Sequence, residues 1–135
     1  MIMVVDGQGG GIGRTIIKKL RDAFGEDMEI LALGTNSLAT AQMMKAGANR
    51  GATGENAIST MAFAADIIIG PLAIIIANAM MGEVTPEISR SIGASQSLKI
   101  LIPLTQERVE IMGLSADPLP HLIDQVVELL KERGR

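Results

Sequence analysis

The stretch Val4-Val5-Asp6-Gly7-Gln8-Gly9-Gly10-Gly11-Ile12-Gly13-Arg14-Thr15-Ile16 decides how this chain folds. The apolar run over residues 1–5 predicts a short buried strand. Five glycines then occupy seven positions before a helical pattern begins. A strand, a glycine turn and a helix in this order are typical of a phosphate-binding site. The helix N-terminus offers unpaired N–H groups and the positive end of its dipole, and glycine lets the backbone approach the anion.

The composition is that of one globular domain, residues 1–135. With 47% hydrophobic and 20% charged residues, the chain has enough apolar side chains for one core and is not disordered. A net charge of −3, with two Phe and no Trp or Tyr, argues against a nucleic-acid partner. The sequence has no cysteine and one histidine, so we expect neither disulfides nor a metal site.

Residues 67–82 form the longest segment to check as a membrane span, because these sixteen residues carry no charge. A spanning helix needs roughly 20 residues, and Gly70-Pro71 would interrupt one here. The N-terminus lacks the basic start and cleavage site of a signal peptide. We therefore expect no membrane partner and a cytoplasmic protein.

Strands and helices alternate along the chain, which predicts an α/β fold: a Rossmann-like parallel sheet with helices on both faces. The predicted strands cover residues 1–6, 28–33, 49–52, 66–69 and 98–104. The predicted helices cover residues 11–24, 38–46 and 55–64, a segment that begins at Thr85-Pro86-Glu87, and the apolar stripe from Leu119 to Leu130.

Two segments are harder to assign. Residues 72–81 fit a fully buried helix behind Pro71 or, because of Ile74-Ile75-Ile76, a strand. Residues 109–112 follow the fifth strand too closely for a helical crossover, so we expect an antiparallel edge strand there. Segment 72–81 also holds more apolar residues than a small domain readily buries, and we expect a homo-oligomer.

The glycine spacing points to a class of ligand. Gly7, Gly11, Ile12 and Gly13 read G-x-x-x-G-I-G, which resembles the dinucleotide turn of the short-chain dehydrogenase/reductases. The stricter G-x-G-x-x-G is not met in register, since its third glycine would fall on Ile12. The resemblance implies NAD or NADP as cofactor. It does not extend to that family's catalysis, which uses a Tyr-x-x-x-Lys pair, because this sequence has no tyrosine. A tight turn that binds nothing is the alternative.

The end of the second strand is where dinucleotide folds usually place an acid for the ribose hydroxyls. Gly34, Thr35 and Asn36 lie there instead; Thr35 and Asn36 either bind a ribose or cap the next helix. The choice between NAD and NADP therefore stays open. Arg14 either reaches a phosphate or remains solvated. The predicted cofactor-binding residues are Gly7, Gln8, Gly9, Gly10, Gly11, Ile12, Gly13, Arg14, Thr35, Asn36 and Gly70.

A degenerate P-loop is the competing interpretation of the turn. Residues 8–15 read Q-G-G-G-I-G-R-T against G-x-x-x-x-G-K-[ST], without the first glycine and with arginine for lysine. Asp6, at the end of the first strand, is expected to accept hydrogen bonds from the turn's own N–H groups. No catalytic residue is assigned, because each polar candidate has a structural interpretation as well: Glu55, Asn56, Asn78, Glu83 and His121.

Beside the glycine turn, the segments A-L-G-T-N-S-L-A-T, K-A-G-A-N-R-G-A-T-G-E-N-A and P-L-P-H-L-I-D are similar to a family of short bacterial proteins known only as a domain of unknown function. The likeness covers nearly the whole chain and implies a Rossmann-like fold and a bacterial cytoplasm, but no activity. The residues predict a nucleotide bound at residues 7–13 by a sensor or small oxidoreductase-like protein. A nucleotide-phosphate enzyme and a non-enzymatic interaction module are the alternatives.

Overall fold

The computed structural model describes residues 1–104, 107–114 and 117–134. Its centre is a sheet of five parallel strands in the order β3-β2-β1-β4-β5. The strands β1, β2 and β4 are buried along their whole length, as apolar strands covered on both faces should be. The strands are β1 (Ile2–Asp6), β2 (Ile30–Gly34), β3 (Arg50–Thr53), β4 (Ile67–Pro71) and β5 (Leu98–Ile102).

Helices cover both faces of this sheet, which confirms the predicted α/β fold. Helix α1 packs against α2 and α5 on one face, and α3 packs against α4 on the other. The described residues include no helix with both the length and the apolar character needed to cross a membrane. The helices are α1 (Gly11–Phe24), α2 (Ser37–Lys45), α3 (Glu55–Ala62), α4 (Pro86–Ala94) and α5 (Leu119–Glu132).

The order in which strands are added to the sheet reverses at β1. Strands β2 and β3 lie on one side of β1, and strands β4 and β5 lie on the other. The connections that leave the carboxyl ends of β1 and β4 therefore run to opposite faces and leave a crevice between them. The glycine turn, residues 7–10, begins at this crevice and leads directly into α1.

The prediction of a buried helix or strand over residues 72–81 is wrong. A single 3-10 turn covers Leu72–Ile75, and tight turns follow it. Asn78, Met80 and Met81 all have positive φ angles, which neither a right-handed helix nor an extended strand accommodates. This segment is a compact loop at the mouth of the crevice.

The predicted antiparallel strand at residues 109–112 is also wrong. The described residues 107–114 contain no strand, and β5 stays at the edge of the sheet. Ile111 and Leu114 instead line an apolar cleft of about 540 Å³ together with residues of β5 and α5. Both side chains remain exposed, Ile111 by 42% and Leu114 by 53%, and they add no strand to the sheet.

Candidate functional site

Asp6 fixes the shape of the glycine turn. Its carboxylate accepts hydrogen bonds from the amide N–H of Gly7 (2.8 Å) and of Gly13 (2.7 Å). The turn itself closes through a hydrogen bond from the Gly10 N–H to the Gly7 carbonyl, 2.9 Å long. The prediction that Asp6 serves the N–H groups of its own turn is confirmed. Burial is the strongest influence on the Asp6 carboxyl and raises its pKa, although the hydrogen bonds from Gly13 and Gly7 oppose the rise.

The inner glycines of the turn are required by packing. Gly10 has φ +73°, and a Cβ there would lie 2.9 Å from the Cα of Ala39. A Cβ on Gly7 would lie 2.5 Å from the Thr35 hydroxyl oxygen. Contacts this short do not occur between real atoms, so α2 and the end of β2 pack directly on the backbone of the turn.

The outer glycines, Gly9 and Gly11, have no such reason to be glycine. Neither has a positive φ, and a Cβ on either would meet no described atom within 4 Å. Their amide N–H groups donate to no acceptor among the described residues. Because Gly11 is the first residue of α1, both amides lie at the positive end of the helix dipole. The outer edge of the turn therefore has room for an anion and hydrogen-bond donors to hold it.

A cleft of about 680 Å³ opens along this outer edge. This volume falls within the range of small-molecule sites. One wall is the backbone of the turn, and the opposite wall combines apolar side chains with an amide and a carboxylate. The described lining residues are Asp6, Gly7, Gln8, Gly9, Gly10, Gly11, Ile12, Pro71, Ala73, Asn78, Met80, Met81, Leu104 and Glu107.

Strained backbone is concentrated at this cleft. In the described ranges, four residues other than glycine have positive φ angles: Gln8 (49°), Asn78 (66°), Met80 (56°) and Met81 (55°). All four line the cleft. The left-handed conformation costs about 1–3 kcal/mol for residues with a side chain and clusters at functional sites. The Met80 N–H is held by the Glu107 carboxylate at 2.8 Å, which fixes part of this loop.

Glu83 joins the loop after β4 to the end of β2. Its Oε1 atom accepts hydrogen bonds from the Gln8 N–H (2.8 Å), the Thr35 hydroxyl (2.7 Å) and the Asn36 side-chain amide (2.8 Å). Asn36 also caps α2 by accepting from the Ala39 N–H, which is one of the two roles expected of it; Thr35 does not cap the helix but donates to Glu83. Thr35 and Asn36 thus hydrogen-bond the carboxylate of Glu83, a residue far from them in the sequence.

Burial and hydrogen bonding shift the pKa of the Glu83 carboxyl in opposite directions. Desolvation, the largest single influence, raises its pKa, but the hydrogen bonds from Gln8, Thr35 and Asn36 together outweigh desolvation and lower the pKa below its usual value. The Glu83 charge in turn contributes to the raised pKa of Asp6. Glu83 is therefore the more readily ionised of the two carboxylates at the turn.

The structure separates the predicted binding residues into three groups. Residues 7–12 line the cleft. Gly13 is buried and donates its backbone N–H to the Asp6 carboxylate. Thr35 and Asn36 lie outside the cleft lining, next to Glu83. Arg14 is exposed and Gly70 is buried in β4, and neither lines the cleft.

Several cleft residues were not found from the sequence. Met80, Met81, Leu104 and Glu107 belong to no recognisable motif; the first two lie in the segment predicted as a helix or strand, Leu104 lies beyond the observed end of β5, and no element was predicted at Glu107. Asn78, which lines the cleft, and Glu83, which lies beside it and accepts the Gln8 N–H, were candidates only for their polarity within or beside an apolar run. One signal was available for Glu83, since Gly82-Glu83 between two apolar stretches marks a turn.

The parallel sheet, the glycine turn and the cleft at the switch point together define a Rossmann-like α/β protein. More particularly, the chain belongs to the family described as Domain of unknown function (DUF3842), whose model matches residues 1–135. Neither a curated protein nor a solved structure shows significant similarity to the chain. The family description names no activity.

Proposed function

We propose that this protein binds a nucleotide through phosphate groups at the outer edge of the glycine turn. The uncovered amides of Gly9 and Gly11 carry the proposal. Glycine costs about 0.5–1 kcal/mol relative to alanine in regular structure. Packing explains the glycines at positions 7 and 10, but it explains neither of these two. A phosphate that approaches the backbone closely would explain both.

NAD or NADP is the ligand that we propose. A crevice at the switch point of a parallel sheet is where such folds bind dinucleotides. The wall opposite the turn presents apolar surface from Ala73, Met80 and Leu104. Asn78 also lines it, and its side-chain amide has no hydrogen-bond partner within the described ranges. An apolar wall with one amide suits an aromatic ring that bears a carboxamide.

A sensor or a small oxidoreductase-like protein is the role that we propose for this nucleotide complex. Asp6 and Glu107 are the ionisable residues of the described cleft lining. Asp6 is buried and both of its carboxylate oxygens accept hydrogen bonds from the turn's own amides, so we assign it a structural role and name no catalytic residue. A sensor would need only the binding, and the turn supplies the groups for that.

The test is a calorimetric titration with NAD, NADP, FAD, ATP, GTP and S-adenosylmethionine, each also measured with magnesium. Gly11→Val is the test variant and Gly93→Val is its matched control. Both glycines lie in helices, are exposed and leave open space for a Cβ, but Gly93 is in α4 and outside the cleft. We expect NAD or NADP to bind the wild type and the Gly93→Val variant, and Gly11→Val to weaken binding about tenfold or more by blocking the backbone.

Three results would contradict this proposal in different ways. Full binding by Gly11→Val would mean that the site lies elsewhere. Binding of ATP or GTP that depends on magnesium would favour the degenerate P-loop. No response to any nucleotide would favour a non-enzymatic interaction module.

We also propose a homo-oligomer in the cytoplasm. The observation in favour of association is the exposure of large apolar side chains: Met81, which also lines the cleft, is 92% exposed, and Met112 is 82% exposed. Light scattering on the purified protein tests the oligomer, and a monomer at micromolar concentration would contradict it. Fractionation of cells that express the tagged chain tests the location.

A further inference from the structure

The carboxylate of Glu83 lies where the sequence has no acid, at the carboxyl end of β2. Dinucleotide folds place an acid there to accept hydrogen bonds from the ribose hydroxyls. We infer that Glu83, from the loop after β4, serves as the ribose-binding carboxylate and makes the site select NAD over NADP. This inference rests on the proposed function, and it names the residue that sets cofactor specificity.

The position of Glu83 is fixed by three donors on two other connections. Gln8 belongs to the turn after β1, and Thr35 and Asn36 follow β2 directly. All three donate to Oε1, at distances of 2.7–2.8 Å. A carboxylate held this way is oriented before any ligand arrives, which is what a specificity residue requires.

The other carboxylate oxygen, Oε2, has no hydrogen-bond donor in the part of the chain that the structure describes. Glu83 is partly exposed and lies beside Gln8 at the end of the cleft lining, so we expect a ligand that extends past Gln8 to bring a hydroxyl to this oxygen. Hydroxyl groups on a carboxylate form charge-assisted hydrogen bonds, which are about twice as strong as neutral ones.

The surroundings of Glu83 would disfavour the 2′-phosphate of NADP. No lysine or arginine within the described ranges forms an ion pair with Glu83. Arg14, the cation nearest to the turn in sequence, forms no ion pair with any described residue. A phosphate beside this carboxylate would meet a like charge without compensation, whereas a hydroxyl would find an acceptor.

Gln8 connects this carboxylate to the phosphate site. The backbone N–H of Gln8 donates to Glu83, and Gln8 also lines the cleft next to Gly9. A dinucleotide would therefore place its diphosphate on the outer amides and extend its adenosine half across Gln8 towards the end of β2. Leu38, two residues after Asn36, is 57% exposed and offers an apolar surface near that end for the adenine ring.

The experiment compares NAD and NADP by calorimetry in the wild type, Glu83→Gln and the surface control Glu128→Gln. We expect the wild type and the control to bind NAD about tenfold more tightly than NADP, and Glu83→Gln to lose most of this preference, both by weakening NAD binding and by relieving the repulsion of the 2′-phosphate of NADP. Glutamine keeps an oxygen for the three donors, so the variant should fold, and its melting temperature verifies this. As a second readout, removal of the 2′-hydroxyl from NAD should weaken binding to the wild type more than to Glu83→Gln.

Equal or tighter binding of NADP by the wild type would overturn this inference, and so would an unchanged preference in Glu83→Gln. Either result would leave nucleotide binding at the turn intact. A wild type that binds neither dinucleotide would overturn the proposed function as well. The two failures are therefore distinguishable.

Discussion

The inner and outer parts of the glycine turn have the same residue type for different reasons. Gly7 and Gly10 face the protein, where Thr35 and Ala39 leave no space for a side chain. Gly9 and Gly11 face the cleft, where a Cβ would meet no described atom within 4 Å. The inner glycines are explained by packing, whereas packing gives no reason for glycine at the outer positions, and the phosphate contact that we propose would supply one. The inner glycines therefore serve the stability of the turn, and the outer ones leave its backbone open to the ligand that we propose.

The largest effect that distinguishes the two parts is expected at the inner position Gly10. Gly10→Ala places a Cβ at φ +73° and 2.9 Å from the backbone of α2 at Ala39. Overpacking and left-handed strain together should lower the free energy of unfolding by about 3 kcal/mol. Urea denaturation measures this change, with Gly93→Ala as the control at an open position. A loss below about 0.5 kcal/mol would mean that the inner turn is not packed as described.

A substitution at the outer position Gly11 is expected to change the free energy of unfolding much less than one at Gly10. Gly11→Ala adds a methyl group in open space at the start of α1. The free energy of unfolding should therefore stay within about 0.5 kcal/mol of the wild type or rise slightly, because alanine restricts the unfolded chain. The same denaturation series gives this value. A loss as large as that of Gly10→Ala would remove the distinction between the two parts of the turn.

The smallest expected effect is the pH dependence of stability that comes from Glu83, whose carboxylate accepts the Gln8 N–H of the turn. Because the pKa of Glu83 is lowered in the folded protein, its contribution to stability is present above the ordinary glutamate pKa of 4.5 and is lost as the pH falls through the lower folded value. The difference in stability between the wild type and Glu83→Gln should therefore shrink on acidification below pH 4.5. Carbon-13 titration of the Glu83 carboxyl measures the pKa directly; a value above 4.5 would contradict the hydrogen-bond network.

The strand, turn and helix at the N-terminus were predictable because every signal there is local. Apolar runs mark β1 and β4, and Thr85-Pro86 marks the start of α4, as the structure confirms. The role of Asp6 followed in the same way, from its place between β1 and the glycines.

The far side of the cleft was not predictable, because its geometry depends on contacts between distant residues. Glu83 reaches Gln8 across 75 positions of sequence, and Glu107 fixes the Met80 amide across 27. The left-handed backbone of Met80 and Met81 could not be read from the sequence, because methionine rarely adopts positive φ angles. Local patterns indicate where a ligand would dock, but the residues that surround it are brought there by the tertiary fold.

The most direct test of the central claim is an amide NMR titration of the uniformly labelled protein with NAD. If the outer edge of the turn holds the phosphates, the Gly9 and Gly11 resonances should show the largest saturable shifts. The buried amides of Gly7 and Gly13, already bonded to Asp6, should move less. Shifts confined to another surface, or the absence of any saturable shift at Gly9 and Gly11, would contradict the claim that these two amides bind the ligand.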